Sequence, residues 1–424
     1  MKQQLNWLLV LLVVVFVTGT GLAQETQIGY YNKPGKESLN KFETSKVDSA
    51  AFKDVKVRVG GAFALQFQGI EHSNDSGVAL ADIGNEFNLA TANLNFDVQL
   101  AEGVRMNLVT YLSSRHHEDT WVKGGYIQFD KLPFLNSEVL NKLMEDVTIK
   151  IGHMEINYGD AHFRRTDNGN AIYNPFVGNL LMDAFATEIG GEVYYQKNGF
   201  LAMVGASNGE IKGDVTNHGS TDPSIYFKVG YDKQVNDALR TRLTASYYST
   251  NKSANNTLYA GDRGGSRYYY VMEPEEAAGD FSSYFRSGRF NPGFNYEVHA
   301  LMINPFVKYN GLEFFGTAEF TSGRKASEID NRNATQLAGE LLYRFGANEN
   351  FYVGGRYATV TSEMNGYEDD VTVNRVQAGA GWFLTNNVLA KLEYVNQQYK
   401  DYPAGSIYEG GEFKGFMFEA VISF

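Results

Sequence analysis

Cysteine is absent from all 424 residues. Its absence excludes a disulfide scaffold and a lipid anchor on an N-terminal cysteine, so stability has to come from packing or strand pairing. Basic residues are in deficit, 37 against 49 acidic ones, for a net charge of −12. This balance argues against a nucleic-acid partner, because phosphate binding needs a basic face. Proline is scarce, with 8 residues, so little interrupts extended structure. After the first 23 residues no long apolar run occurs, which excludes a bundle of membrane-spanning helices.

The one apolar run lies at the start. Met1 to Ala23 combines a basic Lys2, the stretch Leu8 to Val17, and small residues at Gly21 and Ala23. This layout predicts a signal peptide cleaved after Ala23. The alternative, a permanent anchor, is disfavoured because the fully apolar stretch is about half the roughly 20 residues a spanning helix needs. Residues 24–54 are polar and turn-rich, and predict a periplasmic tail of little independent stability.

What is abundant points one way. Gly (44), Tyr (27) and Phe (29) are high and aromatics make up 14%, the composition of strands joined by glycine turns. From Val55 to Phe424 the chain repeats about ten residues of apolar/polar alternation followed by a turn. Ala90, Ala92, Leu94, Phe96, Val98 and Leu100 alternate with Thr91, Asn93, Asn95, Asp97 and Gln99; Val388, Ala390, Leu392 and Tyr394 alternate with Leu389, Lys391, Glu393, Val395 and Gln397; Leu337, Leu341, Tyr343 and Phe345 oppose Gln336, Glu340 and Arg344. Strands are predicted at 55–70, 87–101, 103–115, 120–131, 146–156, 183–197, 199–209, 224–235, 239–250, 296–309, 311–323, 333–346, 350–363, 371–385, 387–400 and 412–424. Tight links at Glu102-Gly103, Asn198-Gly199, Asn310-Gly311 and Asn386-Asn387 alternate with long ones. Short and long links in alternation are the signature of a membrane barrel with short periplasmic turns and long external loops. One link on the tight side is longer, and Glu138 to Met144 there predict a short amphipathic helix. The fold class is therefore all-β: a 16-stranded antiparallel transmembrane β-barrel over residues 55–424. Its last strand places Phe416, Phe418, Ala420, Ile422 and Phe424 on one face. That resembles the C-terminal signal of outer-membrane barrels and makes the insertion machinery and outer-membrane lipid expected partners.

Sixteen strands leave a lumen too wide for side chains alone to fill, so a water-filled channel for small hydrophilic solutes follows. Alternation assigns to the lumen Arg58, Arg105, Lys123, Lys228, Arg240, Arg242, Arg344, Arg356, Arg375 and Lys391, and the acids Asp97, Glu188, Glu192, Asp232, Glu313, Glu319, Glu340 and Glu393. Rings of one sign would set ion preference, whereas this mixed wall lets paired charges neutralise one another. The link at 157–182 is the candidate constriction loop. Its His162, Arg164 and Arg165 either attract anions at a narrow point, since guanidinium matches phosphate and carboxylate, or hold the loop through carboxylates such as Asp160 and Asp167.

Enzyme chemistry finds little support. Gly205-Ala206-Ser207-Asn208-Gly209 fits G-x-S-x-G, but Glu210 to Asp214 lead into a loop where a nucleophile elbow needs a helix. His116 and His117 are adjacent on an extended chain and so point apart, which disfavours a metal site beside Glu118 and Asp119. Gly261 to Gly265 lacks the strand-to-helix setting of a phosphate loop. A membrane-embedded hydrolase would need a Ser–His pair on neighbouring strands, and none stands out. No cofactor is expected.

The segment Lys150-Ile151-Gly152-His153-Met154-Glu155 running into the arginine-bearing loop, the acidic aromatic-rich barrel and the terminal Phe424 resemble the phosphate-selective porin O/P family of Bacteroidota-type outer membranes. The resemblance implies an outer-membrane porin, phosphate passing along pore arginines and lysines, and a homotrimer. The acidic balance and mixed wall depart from the family's cation-rich channel. A second reading is a structural or adhesive barrel, in which the long link 251–295, with Tyr268, Tyr269, Tyr270, Arg286 and Arg289, binds a partner and plugs the lumen.

Overall fold

A computed structural model describes residues 27–47, 51–165, 169–209, 221–260 and 265–424. The predicted signal peptide, Thr166, Asp167, Glu210 to Asp214 and Gly261 to Gly264 lie outside the described residues. Sixteen antiparallel strands, each paired with its neighbours in sequence and the first with the last, form one closed barrel. They are β1 (Lys56–Ser73), β2 (Glu86–Ala101), β3 (Val104–Ser113), β4 (Trp121–Phe129), β5 (Val147–Glu155), β6 (Thr187–Lys197), β7 (Phe200–Ser207), β8 (Ser224–Gln234), β9 (Leu239–Thr250), β10 (Glu297–Tyr309), β11 (Leu312–Arg324), β12 (Arg332–Phe345), β13 (Phe351–Ser362), β14 (Val371–Thr385), β15 (Val388–Lys400) and β16 (Glu412–Ser423). Closure satisfies every strand edge, which hydrocarbon demands because each unpaired backbone group there costs several kcal/mol. The seam is sealed to the last residue: Phe424 and Gly61 exchange two backbone hydrogen bonds of 3.0 Å.

The period-two pattern becomes two environments. On β16 Phe416, Phe418, Ile422 and Phe424 are exposed on the outside, while Met417, Glu419, Val421 and Ser423 are buried inside. At the periplasmic rim Tyr343, Phe345, Phe351 and Trp382 form a stacked outer run with centroids 5.7–6.0 Å apart, an aromatic girdle of the kind found at membrane interfaces. Among the described residues no helix is long and apolar enough to cross a membrane. Tight turns use positive φ at Gly103, Asn198, Gly199 and Asn310, which glycine and asparagine tolerate. The predicted short helix is α1 (Glu138–Leu143), capped by the Ser137 hydroxyl, which accepts from the Leu140 amide.

Two expectations change. Ala90, assigned to the lipid face, is fully buried within an inner cluster with Ala64, Ile172 and Phe176. A bulge shifts the β1–β2 register between Ala64 and Leu65, so that Ala64 faces Thr91, Leu65 faces Leu89, and Ala90 is left without an opposite residue. One extra residue in a strand re-aims a side chain in this way. The tail, expected in the periplasm, instead enters the barrel: Ile28 and Phe42 are buried, and Lys36 and Lys46 donate to Asn386 O and Asp130.

Candidate functional site: the occupied lumen

Beyond Glu155 the chain turns into the barrel at Gly159, whose φ is +70°; a Cβ there would lie 2.2 Å from the Met302 sulfur. Asp160 is then carried to the inner wall, where it accepts from Arg242 (2.8 Å), Thr244 (2.8 Å) and Lys228 (2.7 Å). Burial would raise its pKa, but the adjacent Lys228 and Arg242 outweigh burial and hold the carboxyl well below the usual range. A single 3-10 turn, Ala161–Arg164, follows.

This turn places the three predicted constriction residues against protein. Arg164 lies 3.2 Å from Glu313 and 3.3 Å from Glu340, with its guanidinium over the Phe315 ring. Arg165 grips Asp183 through two hydrogen bonds of 2.7 and 2.6 Å and stacks on Phe185. Both arginines are at most 6% exposed. Their carboxylate partners are Glu313, Glu340 and Asp183, whereas Asp160 is taken by Arg242 and Lys228. His162 packs on Phe163 and contacts Asn157 Oδ1 at 2.9 Å. It alone of the three borders the cavity described below.

The residues that alternation assigns to the lumen have these partners. Arg344 pairs with Glu313 at 2.9 Å, Arg356 with Glu340 at 2.7 Å, Lys391 with Glu419 at 2.5 Å and Arg240 with Asp232 at 2.7 Å. Arg375 donates to Gln397 and to the loop carbonyls of Asn179 and Gly288. Arg58 lies 3.8 Å from Asp97, and Arg105 donates to Gln128 at 2.6 Å. Lys123 lies over the Tyr111 and Phe185 rings. Glu192 accepts from the Asn157 amide and the Tyr194 hydroxyl, and Glu188 from Ser207 and Tyr248. Glu319 accepts from Tyr158 and Tyr259, and Glu393 from the Val177 amide and Tyr268.

The aqueous lumen expected from sixteen strands is therefore largely occupied. Described residues of loops 251–296 and 156–186 lie inside, where Tyr259, Tyr268, Val271, Met272, Phe290 and Phe294 join Tyr158, Val177, Leu181 and Met182 in one apolar cluster. Sequence periodicity does not find this body because loops have no period; the density of aromatics in link 251–295 is the signal, and it is what the plugging alternative is read from. From the periplasmic end the tail adds Phe42, edge-on to Phe163 and Phe306, and Glu43, 3.1 Å from Lys228 and 2.7 Å from Arg242. Burial would raise the Glu43 pKa, but those two cations outweigh burial and keep it low.

One sector stays open. A cavity of about 350 Å³ follows the short strands from Gln128 and Gln196 toward Lys123 and Met154 near their outer ends. Its charged lining is Arg105, Lys123 and Lys150 against Glu43, Asp97 and Glu155, with His153 and His162. The pair His116–His117 serves other ends: His116 stacks on Trp121 at 3.8 Å, and His117 contacts Leu89 O.

No family model and no curated sequence matches the chain. Solved structures do. The anion-selective porin from Comamonas acidovorans aligns at 12% identity and TM-score 0.51 over 88% of this chain and 100% of its own. The outer membrane channel DcaP of Acinetobacter baumannii gives 11% and 0.51 over 89% and 100%. OmpT of Vibrio cholerae, an outer membrane protein in its trimer form, gives 11% and 0.51 over 88% and 100%. At these identities the likeness establishes the fold, the outer-membrane β-barrel.

Proposed function

We propose that this barrel is a passive diffusion channel of a Gram-negative outer membrane, admitting small hydrophilic solutes along the wall of β2–β6. The observation that carries the reading is the cavity along that wall, bordered by Asn95, Asn107, Gln128 and Asn157 and by charges of both signs. A finer reading is preference for small anions such as phosphate. It is supported by Arg105, Lys123 and Lys150 on the cavity, while Glu43, brought to the same cavity by the tail, is already engaged by Lys228 and Arg242. The remaining pieces of the reading are a signal peptide ending at Ala23, insertion guided by the exposed Phe424, and assembly as a homotrimer; the trimer form among the similar structures supports the last.

The test is reversal potential in a planar bilayer under a salt gradient. Replacing both Lys123 and Lys150 by Glu should move selectivity toward cations; unchanged selectivity would remove these lysines from the path. One observation favours the structural or adhesive alternative, namely the depth to which loop 251–296 plugs the barrel, with Tyr268 donating to Glu393 at 2.6 Å. A folded protein that passes no solute would select that alternative.

A further inference from the structure

No Ser–His pair stands out in the sequence, yet the β9–β10 register sets Ser249 directly opposite His299. Both belong to the outward face: Leu243, Tyr247, Leu301 and Val307, in phase with them, are exposed. They lie at the outer rim, where β9 ends and β10 begins. Ser249 Oγ is 2.9 Å from His299 Nδ1, and His299 Nε2 is 3.1 Å from Glu297 Oε1. Glu297 is fixed in turn by Arg324, donating to Oε2 at 2.8 Å, and by Asn331, donating to Oε1 at 3.0 Å.

The tautomer follows from the partners. An ionised carboxylate only accepts, so Nε2 carries the ring proton and Nδ1 is left as the acceptor for the serine hydroxyl. This is nucleophile, base and orienter in hydrogen-bonded sequence, the arrangement that activates serine. We propose that Ser249, His299 and Glu297 form a hydrolytic site for carboxylic esters of membrane lipid at the outer rim of the barrel. Two features fix the substrate class. Below the serine the wall presents Phe227, Tyr247, Leu301 and Phe320, all exposed to the bilayer and suited to an acyl chain. Beside the site, Tyr296 and Lys325, the chain neighbours of Glu297 and Arg324, line a cavity of about 400 Å³ together with Ser253, Asn295 and Ser327. A cleft that carries a lysine suits an anionic head group.

In the reaction Ser249 Oγ attacks the ester carbonyl carbon while Nδ1 takes the hydroxyl proton, and Glu297 stabilises the imidazolium. The tetrahedral adduct expels the alcohol oxygen, which receives that proton, leaving an acyl ester on Ser249. A water molecule, deprotonated by His299, attacks the acyl carbon; Ser249 leaves, is reprotonated, and the carboxylic acid departs. The sum is ester plus water to acid plus alcohol. The site is separate from the lumen, so its failure would leave the channel reading untouched.

The full chain, folded in detergent, is treated with a fluorophosphonate, and fatty-acid release is followed from phosphatidylglycerol in mixed micelles and from a soluble nitrophenyl ester. A phosphonyl adduct on Ser249, absent in His299→Ala, is expected. Lipid hydrolysis should fall on the order of a thousandfold or more in Ser249→Ala, with conductance unchanged. Glu297→Gln should lower the rate and alter its pH profile, which a merely structural role would not do. A folded wild-type barrel that forms no adduct and releases no fatty acid overturns the proposal, as does activity retained in Ser249→Ala. Turnover of the soluble ester alone overturns the lipid assignment.

Discussion

Glu313 shows how single residues hold this interior. It accepts from Arg344, Arg164 and Asn40, three donors from strand, loop and tail. Removing one member of a buried ion pair leaves the other charge uncompensated, at a cost of about 3–5 kcal/mol. Glu313→Gln should therefore lower unfolding stability in detergent by about 3 kcal/mol, measured by urea titration; a loss below about 0.5 kcal/mol would mean that water already serves those arginines. Glu273, on the loop at the outer end, behaves oppositely. Burial pushes its carboxyl up to about 7 from an ordinary 4.5. A raised folded-state pKa gives stability that is present below pH 4.5 and lost as pH rises through 7. Protection of loop 265–296 against hydrogen exchange, taken relative to the intrinsic exchange rate at each pH, should thus be lower at pH 8 than at pH 5, and Glu273→Gln should abolish the difference; equal protection in wild type at both pH values would contradict this. Alternation correctly placed Arg344, Glu340 and Lys391 inside, because facing depends only on period. It could not name their partners, Glu313, Arg356 and Glu419 on the neighbouring strands and Arg164 on the inner loop, and it failed at Ala90, where a bulge breaks the period.

At the scale of elements, strands were legible from their period, whereas of the fillers only link 251–295 was read, as an alternative, and the tail was not. Each strand carries its own two-residue rhythm and ends at a residue that tolerates a turn, so all sixteen are readable without tertiary information. The tail and loop 251–296 owe their place to contacts with finished barrel wall: Phe42 needs Phe306, and Tyr268 needs Glu393. Such partners exist only after closure. The same contingency makes the tail releasable. Glu43→Lys would set a third cation against Lys228 and Arg242, and like charges at this depth repel strongly. The variant should expel the tail and raise single-channel conductance. If conductance did not change, the tail would not obstruct the path. Arg164→Glu should disturb folding through repulsion from Glu313 and Glu340 before it alters ion preference, because Arg164 faces these carboxylates rather than open water.

The whole molecule combines a shell adapted to lipid with a packed interior, and its function depends on how completely that interior is filled. Composition and strand count alone imply a wide aqueous pore; the described structure leaves a cavity of about 350 Å³ beside β2–β6. The ion pairs of the opposite wall, Arg344–Glu313, Arg356–Glu340 and Lys391–Glu419, tie wall charges to one another, and Arg164 joins the first two to the inner loop. The most direct test is single-channel recording of the refolded full chain in planar bilayers at molar salt. The account predicts small, stepwise, ohmic conductance that rises when residues 24–47 are deleted. A correctly folded barrel that inserts yet stays electrically silent, with and without those residues, would contradict it.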